Sequence, residues 1–343
     1  MTKTLRSIVP GSFLVARMQV VHGATAFVEE RFSGAAISKS YSSFLGTEAC
    51  DARYFAWLAR HPFMYDYFMD SSHGVAIEKM TFDQVRWLSL RVPLPPRGEQ
   101  ARIVEVLDTL EAQLKMAERI IDKLTLQSQG LVDSLIGQRL ADRTLGRTLV
   151  GLPGNGIYKP AQLIGRGTLL VGQTAITADR TVDVSLARRA VVSSSELGRF
   201  GLEPNDVLVS RVFATLEGVG QPGLVKDLTE PAVYESNMMR LRFDPAMADP
   251  YFVFRTLQLP SARQHIARHA NLSNQASISQ GVMTGLPLWL PSPSEQRVIT
   301  DRLHVADVRI ETEKAELRKL LLLRQGLISD LLTGRVRVPT EAS

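Results

Sequence analysis

His265 and His269 stand four residues apart in a stretch that reads as helix, a spacing at which two imidazoles share a face and could ligate a metal ion. No glutamate lies between them and no third ligand is evident, so a surface pair is the expected reading. Cys50, the single cysteine, has no histidine close by and reads as a small buried residue rather than a nucleophile. Gly151-Leu152-Pro153-Gly154-Asn155-Gly156 is as glycine-rich as a phosphate loop but lacks the Gly-Lys-Ser/Thr ending, which makes it a turn-rich domain entry. Enzymes that methylate the adenine amino group carry an Asp/Asn-Pro-Pro-aromatic loop, whereas Pro95-Pro96 is followed here by Arg97. Many nucleases place a carboxylate two residues before a metal-site lysine. At Lys3, Lys39, Lys79, Lys115, Lys123, Lys159, Lys226, Lys314 and Lys319 that residue is never Asp or Glu. The chain is expected to catalyse nothing by itself.

The whole chain sets the frame for that absence. Its 343 residues leave room for two domains, and 45% hydrophobic with 22% charged residues is an ordinary globular composition. One cysteine forms no internal disulfide and points to a reducing compartment. Lys3 and Arg6 precede an apolar run broken by Pro10 and Arg17, which is no signal peptide, and no stretch of 18 uncharged apolar residues occurs. A cytoplasmic protein with no membrane partner is expected. The 40 Lys+Arg against 35 Asp+Glu leave a net charge of +5, which permits a polyanionic partner without requiring one.

The informative feature is an internal duplication. Leu94-Pro95-Pro96-Arg97-Gly98-Glu99-Gln100 returns as Leu290-Pro291-Ser292-Pro293-Ser294-Glu295-Gln296, and Glu295 follows Glu99 by 196 positions (295 − 99). The same offset pairs Ile103 with Ile299, Leu107 with Leu303, Leu131 with Leu327 and Leu135 with Leu331. Upstream, with small shifts, Phe13-Leu14-Val15-Ala16-Arg17 matches Val207-Leu208-Val209-Ser210-Arg211, and Asp51 matches Asp249. Positions 103, 107, 110, 114, 117, 121, 124, 128, 131 and 135 alternate four and three apart and are almost all apolar, a heptad seam. The second copy keeps the seam from Ile299 to Leu331, interrupted by Glu313 and Arg324. Prolines before each helix need no donor N–H there, and Glu99 and Glu295 suit the positive end of the helix dipole. The expected fold is α+β: two strand-rich globular segments separated by two long helices that pair as an antiparallel coiled coil. The segments are placed at 1–94 and 144–290, the helices at 95–143 and 291–335, and a tail at 336–343. At ~1.5 Å per residue, forty helical residues make a rod of about 60 Å.

Two globular segments, each closed by a Pro-Leu-Pro-Pro-x-x-Glu-Gln-x-x-Ile stretch that leads into a long helix, resemble the specificity subunits of type I restriction-modification systems. Arg91 through Gln100 with Ile103 carries the first copy and Leu290 through Gln296 with Ile299 the second. Gly156-Ile157-Tyr158-Lys159-Pro160, Asn205 through Arg211 and Glu235-Ser236-Asn237 also fit, so the likeness covers nearly the whole chain. The resemblance implies that each segment is a target recognition domain reading one half of a bipartite sequence in double-stranded DNA. It implies that the helices act as a ruler of at most roughly 18 base pairs at ~3.4 Å each. They would also dock methyltransferase (M) and restriction (R) subunits. The chain would bind no cofactor itself, S-adenosylmethionine belonging to the methyltransferase partner and ATP with Mg to the restriction partner.

One departure stands out. Arg211 lies 71 residues beyond Leu140 (211 − 140), whereas Arg17 has 16 residues before it, so about 50 residues of the first recognition domain are expected to be missing. That leaves open self-association through the shortened first half. It also leaves two competing readings: a coiled-coil scaffold for protein interactions, and an inactive remnant. The candidate DNA-binding residues are Lys159 and Arg166 in the glycine-rich entry and Arg211 at a strand end, suited to a guanine edge or a phosphate. Ser236 could serve a phosphate, and Asn237 and Gln275 are amides suited to adenine. Arg17 and Lys39 are the first-half equivalents. Each could equally be a solvated loop side chain or a structural hydrogen-bonder. The aromatic cluster Tyr54, Phe55, Trp57, Phe63, Tyr65, Tyr67 and Phe68 could stack on bases, with a domain core the stronger expectation.

Overall fold

Two stretches of heptad-patterned sequence form the longest elements: a central helix, Arg97–Val132, and a C-terminal helix, Pro293–Leu332. The computed structural model describes residues 5–74 and 80–339, so Lys3, Lys79 and residues 340–343 of the expected tail lie outside the described residues. The chain condenses into two compact units, Met1–Ile121 with Thr312–Ser343, and Asp122–Glu311. Each long helix is therefore divided between units rather than forming a domain of its own. The physical reason is burial, because each helix end seats its apolar face in the globular segment it adjoins.

In the first unit an antiparallel sheet runs in the order Thr25–Phe27, Phe13–Ala16, Tyr41–Phe44. Three short helices follow, Ala52–Leu58, Met64–Asp70 and Gln84–Ser89. Their core gathers Phe13, Tyr54, Trp57, Phe68, Phe82 and Trp87 with Ile103 and Leu107 of the central helix and Leu331 and Leu332 of the C-terminal helix. The beginning of one long helix thus packs with the end of the other, an antiparallel pairing. Of the aromatic cluster, Tyr54, Trp57 and Phe68 are buried, Phe55, Phe63 and Tyr67 pack against the core half-buried, and Tyr65 is exposed. Packing, not base stacking, accounts for the six.

The second unit holds a four-stranded antiparallel sheet in the order Pro222–Leu224, Val207–Ser210, Met238–Leu241, Gly154–Asn155. A second sheet places Ile164–Val171 between Arg188–Ala190 and Ala232–Tyr234, the last pair parallel. The core centres on Phe252, Leu257, Leu286 and Leu288, and draws in Val132 and Ile136, each next to a seam position, with the seam residues Ile299 and Leu303. Here the end of the central helix meets the start of the C-terminal helix, again antiparallel.

Two polar residues of the seams, Ser128 and Arg324, have partners. In the first unit Arg324 reaches Glu111 at 3.5 Å. In the second, Ser128 accepts from Arg255 Nη2 at 3.1 Å, and Arg255 Nη1 lies 2.8 Å from both Asp307 oxygens. Tyr251 donates its hydroxyl to Asp307 as well, and its ring stacks on His304 at 3.8 Å.

The duplication is visible in hydrogen bonds as much as in sequence. Gln100 accepts from the Asp51 N–H at 2.8 Å and donates to the Ala49 and Pro95 carbonyls at 2.8 Å each. Gln296 accepts from the Asp249 N–H at 2.8 Å and donates to the Met247 and Pro291 carbonyls at 2.9 Å each. Both glutamines are fully buried, and each ties the first turn of a long helix to the loop ahead of a short one. Asp51 and Asp249 in turn cap those short helices, accepting from the N–H groups of Tyr54 and Phe252 respectively. The glutamates beside the glutamines differ. Glu295 forms a capping box with Ser292, while Glu99 is buried and takes Arg337 at 2.6 Å and the Val338 N–H at 3.1 Å.

Candidate nucleic-acid interface

Arg211 ends the strand Val207–Ser210 in a position fixed on both sides. Its N–H donates to the Asn237 carbonyl at 2.8 Å and its carbonyl accepts from the Ile278 N–H at 3.0 Å. Its side-chain Nε donates to the Ser236 carbonyl at 3.3 Å, which uses one of five guanidinium N–H groups and leaves the forked end for another acceptor. Arg17 is held in the same way, its N–H on the Ser40 carbonyl at 2.8 Å and its carbonyl receiving the Phe82 N–H at 2.9 Å. Its Nε is buried with no hydrogen-bond partner among the described residues. Lys39 sits exposed in the turn beside Ser40, where the second unit has Ser236 beside Asn237.

Ser236 and Asn237 line a groove of about 450 Å³ with Tyr158, Lys159, Arg188 and Glu235. Its charges are largely internally matched. Lys159 lies 2.8 Å from both oxygens of Glu196, and Arg188 lies 2.6 Å from Glu235. The ammonium of Lys159 and N–H and O–H groups of Ser193 pull the Glu196 carboxyl down to about 2. Lys159 thus meets the groove as a nearly buried ion pair rather than a free cation.

Arg166 stands apart from that matching. The strand Ile164–Val171 shifts register against Arg188–Ala190 between Ile164 and Thr168, so Gly165, Arg166 and Gly167 bulge out of the ladder. Both glycines have positive φ, +108° and +95°, and a Cβ on Gly167 would fall 2.6 Å from the Ala190 carbonyl oxygen. The bulge therefore needs glycines, and it presents an exposed Arg166 with no carboxylate partner among the described residues. Gln275 is exposed in the turn between Asn271–Leu272 and Ala276–Ser277, the latter paired with Val212–Phe213 just after Arg211. The fold thus gathers Ser236, Asn237 and Lys159 around one groove, holds Arg211 against the Ser236 carbonyl, sets Gln275 on the hairpin beside Val212–Phe213 and leaves Arg166 on its own bulge. Sequence reasoning passed over Arg188, whose signal would have been its place in a strand opposite the glycine-rich bulge.

The remaining chemical candidates resolve into structural contacts. His265 Nε2 is 3.2 Å from the Val282 carbonyl and His269 Nδ1 is 2.8 Å from the His265 carbonyl. Among the described residues no three His, Cys, Asp or Glu side chains converge as a metal site would require. No described helix is long and apolar enough to cross a membrane.

Comparison with known proteins now bears on this arrangement. A family model for the type I restriction modification DNA specificity domain matches residues 8–126. The chain is 19% identical over 279 residues to the MjaVIII specificity subunit of Methanocaldococcus jannaschii, covering 76% of this chain and 64% of that one. It is 25% identical over 267 residues to the EcoKI specificity subunit of Escherichia coli K12, covering 72% and 57%. The chain is similar to type I specificity subunits, by a family match over residues 8–126 and by these relatives. It spans about 57–64% of the length of these curated relatives. Among solved structures, the S subunit from M. genitalium shares the fold with a TM-score of 0.59 at 12% identity, over 96% of this chain and 84% of that one. A chain from a study of assembly and conformational transition in the type I restriction-modification system has a TM-score of 0.59 at 17% identity, over 95% and 83%.

Proposed function

We propose that the chain is the DNA-recognition subunit of a type I restriction-modification complex, reading a bipartite target and catalysing nothing itself. The observation that carries this reading is the repeat at the site: Arg17 and Arg211 end equivalent strands, each clamped by the same pair of backbone hydrogen bonds. Two arginines whose backbones are held alike on two copies of one scaffold suit two half-sites. Arg211 would read a guanine edge through its free fork, a contact worth about 1–3 kcal/mol of discrimination. Asn237 would pair with adenine, and Arg166 would clamp a phosphate from the glycine bulge. Lys159 would act indirectly, by fixing the groove wall through Glu196.

The long helices would space the half-sites and dock methyltransferase and restriction subunits in the cytoplasm. S-adenosylmethionine would be held by the first partner, ATP and Mg by the second. The test is binding of the full chain, assembled with its methyltransferase subunit, to duplex DNA over a range of salt. Affinity should fall steeply with salt, and Arg211→Ala should flatten the preference among sequences. Salt-independent binding, or a preference untouched by Arg211→Ala, would count against the reading.

A further inference from the structure

At the end of the strand Met238–Leu241 away from Asn237, the second unit holds another pocket, of about 500 Å³. It shares no described lining residue with the groove at Ser236 and Asn237. Among the described residues that line it, three are arginines, Arg199, Arg240 and Arg242, and none is Asp or Glu. Aromatic rings hold two of the guanidinium groups in place. Arg199 lies over the Phe200 ring at 5.1 Å and Arg240 over the Tyr234 ring at 5.4 Å. The two rings meet edge to face, their centroids 6.2 Å apart. The Tyr234 hydroxyl donates to the Gly154 carbonyl at 3.1 Å, which anchors this ledge to the glycine-rich loop.

The charges of the three arginines are not equally spent. Asp206 takes two N–H groups of Arg242 at 2.8 and 2.7 Å, and Glu203 takes a third at 2.6 Å. Arg242 is therefore neutralised and props the wall. Arg240 gives one N–H to the Gly201 carbonyl, and neither it nor Arg199 has a carboxylate partner among the described residues. Burial pushes the Tyr234 phenol up while Arg240, Arg242 and Arg199 pull it back, so all three guanidinium groups act on one ring. Another wall is Gly151-Leu152-Pro153-Gly154-Asn155, the stretch as glycine-rich as a phosphate loop. The Val150 N–H donates to the Arg242 carbonyl at 2.9 Å, and Gly151 then turns the chain at a φ of +77°. The N–H groups of Gly151 and Leu152 find no protein acceptor among the described residues. The exposed carboxamides of Asn155 and Gln280 complete the lining.

We infer that this pocket binds a free phosphate ester with a polar body, its phosphate held by Arg199 and Arg240. The loop lacks the lysine of a phosphate loop, and the two arginines supply what that lysine would: positive charge and N–H donors with no carboxylate to satisfy them. A guanidinium fork matches phosphate oxygens two at a time, and backbone N–H groups beside it add donors of the same kind. A bare phosphate would leave most of the 500 Å³ unfilled, whereas sites for small organic ligands run from roughly 300 to 1,000 Å³. Asn155 and Gln280 each offer a donor and an acceptor, which suits a sugar hydroxyl or the edge of a base. The absence of shared lining residues sets this ligand apart from the DNA that the groove would read.

The test titrates the full chain by calorimetry with two probes, inorganic phosphate and ribose 5-phosphate. Both should bind saturably, ribose 5-phosphate the more tightly because its body fills the pocket. Arg199→Gln alters an exposed side chain near the end of the helix Ser194–Phe200, so the fold should survive it. It should weaken both probes about ten- to hundredfold, the effect of losing hydrogen bonds to a charged group. Arg268→Gln, equally exposed and outside the pocket, should leave both affinities unchanged. No saturable binding, or an equal loss from the two substitutions, overturns the site. Equal affinity for the two probes overturns the polar body. Ribose 5-phosphate displaced by a short DNA duplex would assign the phosphate to the duplex and overturn a separate ligand.

Discussion

Replacing Gln296 by alanine removes the fastener between the C-terminal helix and the second unit. The side chain is fully buried and makes three hydrogen bonds, from the Asp249 N–H and to the Met247 and Pro291 carbonyls, at 2.8–2.9 Å. Each such bond contributes about 1 kcal/mol net, and its loss strands a buried polar group unless water enters. The expected cost of Gln296→Ala is therefore about 3 kcal/mol. At roughly 1.4 kcal/mol per decade, that is about a hundredfold faster exchange of amides in the helix Pro250–Thr256. Gln100→Ala should do the same to Ala52–Leu58, because its three bonds match in geometry. Gln296→Glu should be worse at neutral pH, since a carboxylate would face two carbonyl oxygens. Burial and those carbonyls would raise its pKa, so its folded form would bind more protons and stability would recover as pH falls. Exchange mass spectrometry on the full chain reads all three. A loss below about 0.5 kcal/mol at both sites would show that the glutamines fill space rather than fasten, against the value expected for buried bonds.

Three further outcomes follow from the same structure. Leu303→Ala, at a fully buried seam position in the second unit's core, should cost about 2–5 kcal/mol in denaturant unfolding, and a loss under about 1 kcal/mol would remove it from that core. Glu196 is held down at about 2, so its pairing with Lys159 stabilises the fold above its ordinary value of 4.5 and loses that effect as pH falls toward 2. The melting temperatures of wild type and Glu196→Gln should therefore differ at pH 7 and converge near pH 2, and parallel curves would contradict the assignment. Arg166→Ala should weaken DNA binding alike across sequences and reduce the salt slope by about one, and a sequence-dependent loss would make it a base reader instead.

The large features of the fold were legible because they are local or periodic. A seam alternating three and four residues identifies a long helix wherever it occurs, and a constant offset of 196 identifies a duplicated one. The Glu-Gln pair was visible as a motif, but the work of Gln100 was not, since its partners Asp51 and Ala49 lie about 50 positions away in sequence. The same separation hid the fate of Lys159, which reads as a free cation until the fold brings Glu196 to it from 37 residues on. The exposure of Arg166 was easier to foresee, because the glycines on either side of it belong to a stretch that reads as a turn-rich entry.

The central claim, that this chain chooses the DNA sequence on which a partner acts, is tested most directly by mapping methylated adenines. The full chain would be expressed with its methyltransferase subunit, once with Arg211 intact and once as Arg211→Ala, in cells lacking other adenine methylation. Methylation confined to one bipartite motif, relaxed by the substitution in the half-site that Arg211 faces, is the predicted result. A stable complex whose methylation pattern is the same with or without this chain would contradict the account.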